Sequence, residues 1–181
     1  MNRLLFLGPP GAGKGTQAKI ICNELKLLHL STGDLLREEV ASNSAIGIQV
    51  KSIMDKGELV SDQLVLSIVR KNLSNSKIGW VLDGFPRNVH QAKELVDLLK
   101  EIEQPIEAVI LIDVEDDVLV KRLLSRGRPD DKEKVIRHRL KVYRTKTEPL
   151  IEFYKNQDLL KTVRGDGDIN IICDRIKLSL C

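Results

Sequence analysis

A glycine-rich segment near the start of the chain constrains the fold more than any other feature. Residues 8–16 read Gly-Pro-Pro-Gly-Ala-Gly-Lys-Gly-Thr, directly after an apolar run at 4–7 and directly before a stretch with helical character. Backbone N–H groups in such a turn can surround a polyphosphate, the helix N-terminus favours negative charge, and Lys14 can reach the outer phosphates. The sequence therefore predicts a phosphate-binding loop between a strand and a helix.

One position of this loop departs from the usual pattern. Gly15 stands where Ser or Thr normally follows the lysine and binds Mg²⁺. The metal must therefore be held differently, or Thr16 or a distant carboxylate must help to hold it.

Size and composition favour one compact domain that meets an anionic ligand locally. The chain has 181 residues, is 42% hydrophobic and carries a net charge of +3, which does not indicate nucleic acid. Cys22, Cys173 and Cys181 form no Cys-x-x-Cys pair and have no histidine at metal-ligand spacing. This predicts reduced thiols in a cytoplasmic protein without structural zinc. No signal peptide or apolar run of ~20 residues is visible, so we expect no membrane association.

Strand-like and helix-like segments alternate along the chain, which predicts an α/β fold. The buried strand at 79–82 is followed by Asp83, and ligands of open α/β sheets bind beyond the carboxyl ends of the strands. Asp83 is thus a candidate Mg²⁺ carboxylate, directly or through water, and the alternative is a capping residue in a turn. Between strands, residues 31–60 form two short helices, which we interpret as a candidate substrate flap.

Arginines are concentrated in the second half of the chain. Arg122 and Arg126 lie four residues apart on one helix face, and Arg128 and Arg139 follow. In an isolated helix they would be a solvated surface. In a protein with a phosphate-binding loop they can neutralise the charge of a transferred phosphoryl group.

Taken together, these segments resemble the short-lid adenylate kinases over essentially the whole chain. The resemblance rests on the loop ending Gly-Thr-Gln at 15–17, on Ser-Thr-Gly-Asp-Leu-Leu-Arg at 31–37, on Asp-Gly-Phe-Pro-Arg at 83–87 with Gln91, and on the arginine series with its acidic pair at 130–131. It implies the reaction ATP + AMP ⇌ 2 ADP with Mg²⁺, and the family also has glycine after the lysine. The implied fold is P-loop NTPase-like, with three layers, a central parallel five-stranded sheet, a helical flap that binds the nucleoside monophosphate, and a very short lid.

The resemblance also assigns the site. ATP would bind to Gly11, Ala12, Gly13, Lys14, Gly15, Thr16, Arg126 and the backbone near Gly167. AMP would bind to Thr32, Arg37, Glu58, Leu59, Val60, Gly84, Phe85, Pro86, Arg87, Gln91, Arg128 and Arg139. The catalytic groups would be Lys14, Arg87, Arg122, Arg126, Arg128 and Arg139, with Asp83 holding Mg²⁺ through water.

The same resemblance divides the chain into a core (1–30, 61–124 and 133–181), an AMP-binding flap (31–60) and a lid (125–132). Only Gly127 separates Arg126 from Arg128, so the lid is expected to be a tight turn without a four-cysteine zinc insert. We expect a monomer that binds ATP, AMP and ADP.

Two alternatives remain at this point. A UMP/CMP kinase has the same fold and arginine set, although we expect a smaller alanine there in place of Thr32. A GTPase-like switch is disfavoured because the chain has no Asn-Lys-x-Asp motif and because a switch has no use for a second phosphate site at Arg37 and Arg87.

Overall fold

Five parallel strands form the central sheet of the computed structural model, which describes residues 2–42, 45–74 and 76–180. The strands are β1 (Arg3–Leu7), β2 (Leu28–Ser31), β3 (Trp80–Asp83), β4 (Ala108–Asp113) and β5 (Leu160–Arg164). Their order across the sheet is β2-β3-β1-β4-β5, with every neighbouring pair parallel. The predicted α/β fold with a five-stranded parallel sheet is confirmed. The prediction for the thiol of Cys181 lies outside the described residues.

Helices connect the strands on both faces of the sheet. They are α1 (Lys14–Leu25), α2 (Thr32–Ala41), α3 (Ala45–Asp55), α4 (Asp62–Leu73), α5 (Val89–Glu101), α6 (Asp116–Arg126), α7 (Glu133–Val142), α8 (Pro149–Lys155) and α9 (Ile169–Leu180). In the part of the chain that the structure describes, no helix is long and apolar enough to cross a membrane.

The alternation of side chains along each strand builds two cores. On β1, Leu5 packs with α4, α5 and α8, whereas Leu4 and Phe6 pack with α1, α6 and α9 on the opposite face. Both faces are therefore covered by helices, which is why these strands are near-continuous apolar runs in the sequence. The result is the expected three-layer arrangement.

The strand order creates a crevice at the carboxyl edge of the sheet. β1 lies between β3 and β4, and Phe6 near its end is in register with Asp83 at the end of β3. The chain leaves β1 toward β2 and returns later on the other side, so the loops diverge above β1. The phosphate-binding loop therefore opens next to Asp83.

A π-helical segment at Tyr143–Thr147 separates α7 from α8. The sequence predicts one long helix kinked at Pro149; the structure instead shows two α-helices joined by this wider turn. The N–H of Glu148 donates to the carbonyl of Tyr143, 2.9 Å away. Because proline has no N–H and its ring displaces the carbonyl four residues earlier, the preceding turn widens. The segment brings Tyr143 and Thr147 to the wall of the crevice.

Candidate active site

A cleft of about 900 Å³ lies above the carboxyl edge of the sheet. Its walls come from the phosphate-binding loop, from α2 and residues 57–60, from the turn after β3, and from α7 with the π-helical segment. The cleft therefore joins segments that are far apart in the sequence and that the motif analysis selected separately.

Lys14 is the cation at the base of this cleft. Its ammonium donates to the carbonyls of Gly8 and Pro9, at 2.8 and 3.0 Å. Burial lowers the pKa of Lys14 to about 8; Asp83 opposes this shift, whereas Arg87 and other arginines add to it. A polyphosphate in the loop would favour the charged ammonium, so Lys14 is placed to hold one.

The loop residues around Lys14 form the expected turn into α1. Gly13 caps the helix in a left-handed conformation, Ala12 is buried, and Gly11 and Gly15 are partly buried. Thr16 is exposed in the first turn of α1.

Gly15 lets the backbone of the phosphate-binding loop lie close to the side chain of Asp83. A Cβ atom at this position would lie 3.3 Å from Oδ2 of Asp83. The Asp83 side chain is buried, and among the described residues none donates a hydrogen bond to it. A free carboxylate facing the phosphate-binding loop across a glycine suits a hydrated Mg²⁺, which prefers oxygen ligands and keeps several waters. The donor set thus fits the metal that the resemblance implies.

Three arginines line the same cleft as Lys14: Arg37 from α2, Arg87 from the turn after β3, and Arg139 from α7. Burial lowers the pKa of Arg87 to about 10, with a further contribution from Arg139. Arg87 therefore remains a cation at neutral pH. Four positive groups around one cleft can hold more than one phosphate group, and the carboxylate of Asp83 is near enough to raise the pKa of both Lys14 and Arg87.

The short lid is tied together by acidic residues. Arg126 donates to both oxygens of Asp131 at 2.8 and 2.6 Å, and the Asp131 side chain is 1% exposed. Asp131 also accepts from the backbone N–H of Arg128 and from Arg139, at 3.1 and 3.4 Å. Gly127 ends α6 in a left-handed conformation. Asp131 therefore connects three of the sequence-predicted arginines, a role that its position in the motif did not reveal.

Two further ion pairs join the lid to neighbouring elements. Arg139 contacts Asp130 at 2.8 Å, and Arg128 lies 3.8 Å from Asp34 at the start of α2. Asp34 also pairs with Arg37. The lid and the segment 31–60 thus approach each other across the cleft.

Arg122 stands apart from the other arginines. Its guanidinium donates to the carbonyl of Gly165 at 3.0 Å, in the turn between β5 and α9. Gly167, in the same turn, is exposed with φ +102°. The structure therefore brings Arg122 to the predicted ATP-binding turn and does not place it on the wall of the main cleft.

A smaller cleft of about 240 Å³ adjoins the main one. Apolar groups at Leu59, Val60 and Phe85 line it together with Thr32 and Gln91. Thr32 Oγ1 donates to the carbonyl of Asp83 at 3.3 Å. An apolar slot with a few convergent polar groups is typical of a site for a planar base.

Gly84 and Pro86 belong to the wall between the two clefts. Gly84 has φ +83°, and a Cβ there would lie 3.0 Å from Thr32 Oγ1 and 3.3 Å from a guanidinium nitrogen of Arg87. The Phe85–Pro86 peptide bond is cis. A side chain at position 84 would therefore enter the space between the proposed base and phosphate sites.

Glu58 is the sequence-predicted residue with an unexpected partner. Its carboxylate lies 2.7 Å from Nε2 of His138 on α7, so the end of the segment 31–60 contacts the core. Thr147 is a residue at the cleft that the sequence did not predict; its hydroxyl donates to the carbonyl of Arg87 at 2.7 Å. Neither contact has a signal in the sequence, because each joins residues at least 60 positions apart.

Comparison with known proteins agrees with this geometry. The family model described as "Adenylate kinase" matches residues 6–159. A protein of Prochlorococcus marinus (strain NATL1A) named "Adenylate kinase" is 61% identical over 179 residues, covering 99% of this chain and 98% of the relative. A protein of Synechococcus sp. (strain CC9311) with the same name is 60% identical, covering 97% of each. The chain therefore belongs to the adenylate kinase family.

Proposed function

We propose that the chain carries out its family's reaction, ATP + AMP ⇌ 2 ADP, with ATP on the phosphate-binding loop and AMP between the segment 31–60 and the turn after β3. The function itself follows from the family, and the relatives give no support to the UMP/CMP kinase alternative. One observation carries the assignment of the two sites: Lys14 and the guanidinium groups of Arg37, Arg87 and Arg139 line a single cleft.

In this proposal Lys14 binds the β- and γ-phosphates of ATP, and Arg37 and Arg87 fix the phosphate of AMP. Arg126, Arg128 and Arg139 surround the transferred group when the lid closes. No covalent intermediate is needed, because phosphoryl transfer depends mainly on in-line positioning and on stabilisation of charge. The guanidinium groups are planar, permanently charged donors, which suits the spread of charge over the equatorial oxygens.

Arg122 and the backbone near Gly167 contact the nucleoside end of ATP in this arrangement. The support is the hydrogen bond from Arg122 to Gly165, which puts the guanidinium in that turn. Arg122 acts on the transferred group only if it leaves this carbonyl.

Mg²⁺ would be held by nucleotide oxygens and water, with Asp83 accepting hydrogen bonds from its water ligands. When bound, it neutralises charge on the β- and γ-phosphates. Asp83 further holds Lys14 in its charged form, since the carboxylate raises the pKa of that lysine.

Residues 31–60 are proposed as the AMP flap and residues 125–132 as the ATP lid. The contacts Glu58–His138 and Arg128–Asp34 support this division, because they join these segments to α7 and to each other. Closure would exclude water from the cleft and complete the cationic set around the phosphates.

The substrate assignment is tested by ADP formation with Mg·ATP and each of AMP, CMP, UMP and GMP. We expect kcat/KM for AMP to exceed that for UMP and GMP by roughly 10⁴-fold, because their keto bases leave buried polar groups unpaired, and to exceed that for CMP because the single ring of cytosine fills less of the apolar slot. Equal rates with CMP or UMP would contradict the AMP site while leaving the arginine roles intact.

Lys14→Met tests the ATP site in the same assay. We expect kcat to fall by roughly 10²-fold or more, as for loss of one buried donor to transition-state charge, with an unchanged melting temperature. Lys19→Met, at an exposed position on the same helix, is the matched control. Turnover near the wild-type rate in Lys14→Met would overturn the assignment.

We also propose that the enzyme is a cytoplasmic monomer without zinc. The support is that all proposed site residues belong to one chain and that Cys22 and Cys173 are free and buried. Light scattering after size exclusion tests the oligomeric state, and metal analysis of the same fraction tests the absence of zinc. A stable dimer or one zinc per chain would contradict the proposal.

A further inference from the structure

The amide of Gln91 is held in one orientation. The residue is 1% exposed, its Oε1 accepts from the backbone N–H of Arg87 at 2.6 Å, and its Nε2 donates to Oδ1 of Asp62 at 2.6 Å. A reversed amide would place two donors together at Arg87 and two acceptors together at Asp62. The surrounding contacts therefore permit a single orientation of the amide.

Asp62 is itself held in place by its neighbours. Asn88 directs its amide nitrogen toward both carboxylate oxygens, at 3.4 and 3.5 Å, and Nδ1 of His90 lies 3.3 Å from Oδ2. Asn88 also caps α5 by accepting from the N–H of Gln91 at 2.8 Å. Asp62, at the start of α4, is thus fixed against the start of α5. Gln91 lines the smaller cleft and Asp62 does not, so Asp62 acts through Gln91.

After these two bonds the amide has one free acceptor site and one free N–H. Adenine offers an amino donor next to ring-nitrogen acceptors, which matches the free pair. Hypoxanthine has the same shape but offers a keto acceptor next to an N–H donor, the reverse pattern. Cytosine resembles adenine in this respect and uracil resembles hypoxanthine. An amide that cannot reverse therefore accepts amino bases and rejects keto bases.

We propose that Asp62 is a positioning residue that locks the Gln91 amide in one orientation. The AMP site thereby selects bases with an amino group over bases with a keto group. The proposal rests on the AMP site described under the proposed function. It assigns the specificity to a residue that does not touch the base.

The experiment compares AMP with inosine monophosphate, which differs only at the edge that Gln91 faces. In Asp62→Asn the new amide can accept or donate, so a reversed Gln91 is no longer penalised at position 62 and only the N–H of Arg87 still opposes it. We expect the ratio of kcat/KM for AMP to that for inosine monophosphate to fall by about tenfold or more, while KM for Mg·ATP stays unchanged. Asp97→Asn, on the exposed face of α5, is the matched control and keeps the wild-type ratio.

A merely structural role would lower kcat/KM for both monophosphates equally and leave the ratio unchanged, which would overturn the proposal. In the Gln91→Met background the effect of Asp62→Asn on the ratio should disappear, and its persistence would also overturn it. Wild-type protein that fails to prefer AMP would instead contradict the proposed function.

If Asp62→Asn does not fold, the side-chain amide of Gln91 in the wild-type protein can be measured by NMR. One of its two protons should be protected from solvent exchange, and rapid exchange of both protons would contradict the locked orientation.

Discussion

At the scale of single residues, Lys14 has a charge that is costly in the ligand-free protein. Its pKa is about 8, mainly because of burial, against an ordinary value of 10.5. Phosphate groups bound beside it would favour the ammonium and raise the pKa again. Nucleotide binding and protonation of Lys14 are therefore coupled near pH 8.

The coupling predicts how ATP binding depends on pH. Below pH 8 Lys14 is already charged and the affinity should be constant. Above pH 8 binding must take up a proton, so the affinity should fall by up to about tenfold per pH unit. Titration calorimetry at pH 8.5, in two buffers of different ionisation enthalpy, measures the proton uptake, since the ATP phosphates are fully ionised there.

Lys19→Met serves as the control and should bind ATP with the same proton uptake as the wild type, whereas Lys14→Met should lose it. A wild-type affinity that does not change between pH 7 and pH 9, with no proton uptake, would contradict the role assigned to Lys14.

The sequence predicts which residues enter the site better than it predicts how they are held. The family resemblance assigns Gln91 to the AMP site, and the residue is buried beside the smaller cleft. Its partner Asp62 lies 29 positions away and has the sequence pattern of an ordinary helix-capping residue. Hydrogen bonds between such distant positions depend on tertiary packing, so no local pattern reports them.

At the scale of elements, apolar runs and helix caps predict most of the boundaries. α1 begins at Lys14 within the predicted loop-to-helix transition, and Ser31 caps α2 by accepting from the N–H of Asp34. The π-helical segment was not predicted, because α- and π-helical turns share nearly the same apolar spacing over five residues. The missed segment matters, since it carries Tyr143 and Thr147 to the cleft.

The lid turn between α6 and α7 depends on Asp131. Burial alone would raise the pKa of this carboxyl, but the hydrogen bond from Arg126, the N–H of Arg128 and the charge of Arg139 hold it below its ordinary value of 3.8. A carboxylate with a depressed pKa stabilises the fold above the unfolded-state pKa and loses this contribution as the pH falls through the folded-state pKa.

Asp131→Asn should lower the free energy of unfolding by about 1–3 kcal/mol at neutral pH, because Arg126 loses a charged, buried partner. The deficit relative to the wild type should shrink as the pH falls below 3.8, the ordinary carboxyl pKa, toward the lower folded-state pKa of Asp131. Urea unfolding between pH 3 and pH 7 measures both effects. The control is Asp116→Asn, whose pair with Arg144 is half exposed, and it should change stability by less than about 1 kcal/mol. An equal deficit at pH 3 and pH 7 would contradict the ion-pair role of Asp131.

At the scale of the whole molecule, one sheet supports both proposed nucleotide sites, and binding at either site can be followed with a single probe. Trp80 is the only tryptophan of the chain, is fully buried in β3, and donates through Nε1 to Gln104 at 2.8 Å. Its fluorescence therefore reports unfolding of the core rather than events at the clefts. A ligand that binds only the folded chain raises the free energy of unfolding by about 2.7 kcal/mol at 100 times its dissociation constant.

This probe can separate the two sites without any turnover. With ATP alone or AMP alone, we expect each nucleotide to shift the urea midpoint of the wild type. Lys14→Met should lose most of the shift caused by ATP and keep that caused by AMP, whereas Gln91→Met should show the reverse. The two residues lie on different walls of the joined clefts, so neither substitution removes the contacts of the other site. If either variant lost both shifts equally, the two nucleotides would not occupy separate sites, and the division of the crevice between ATP and AMP would fail.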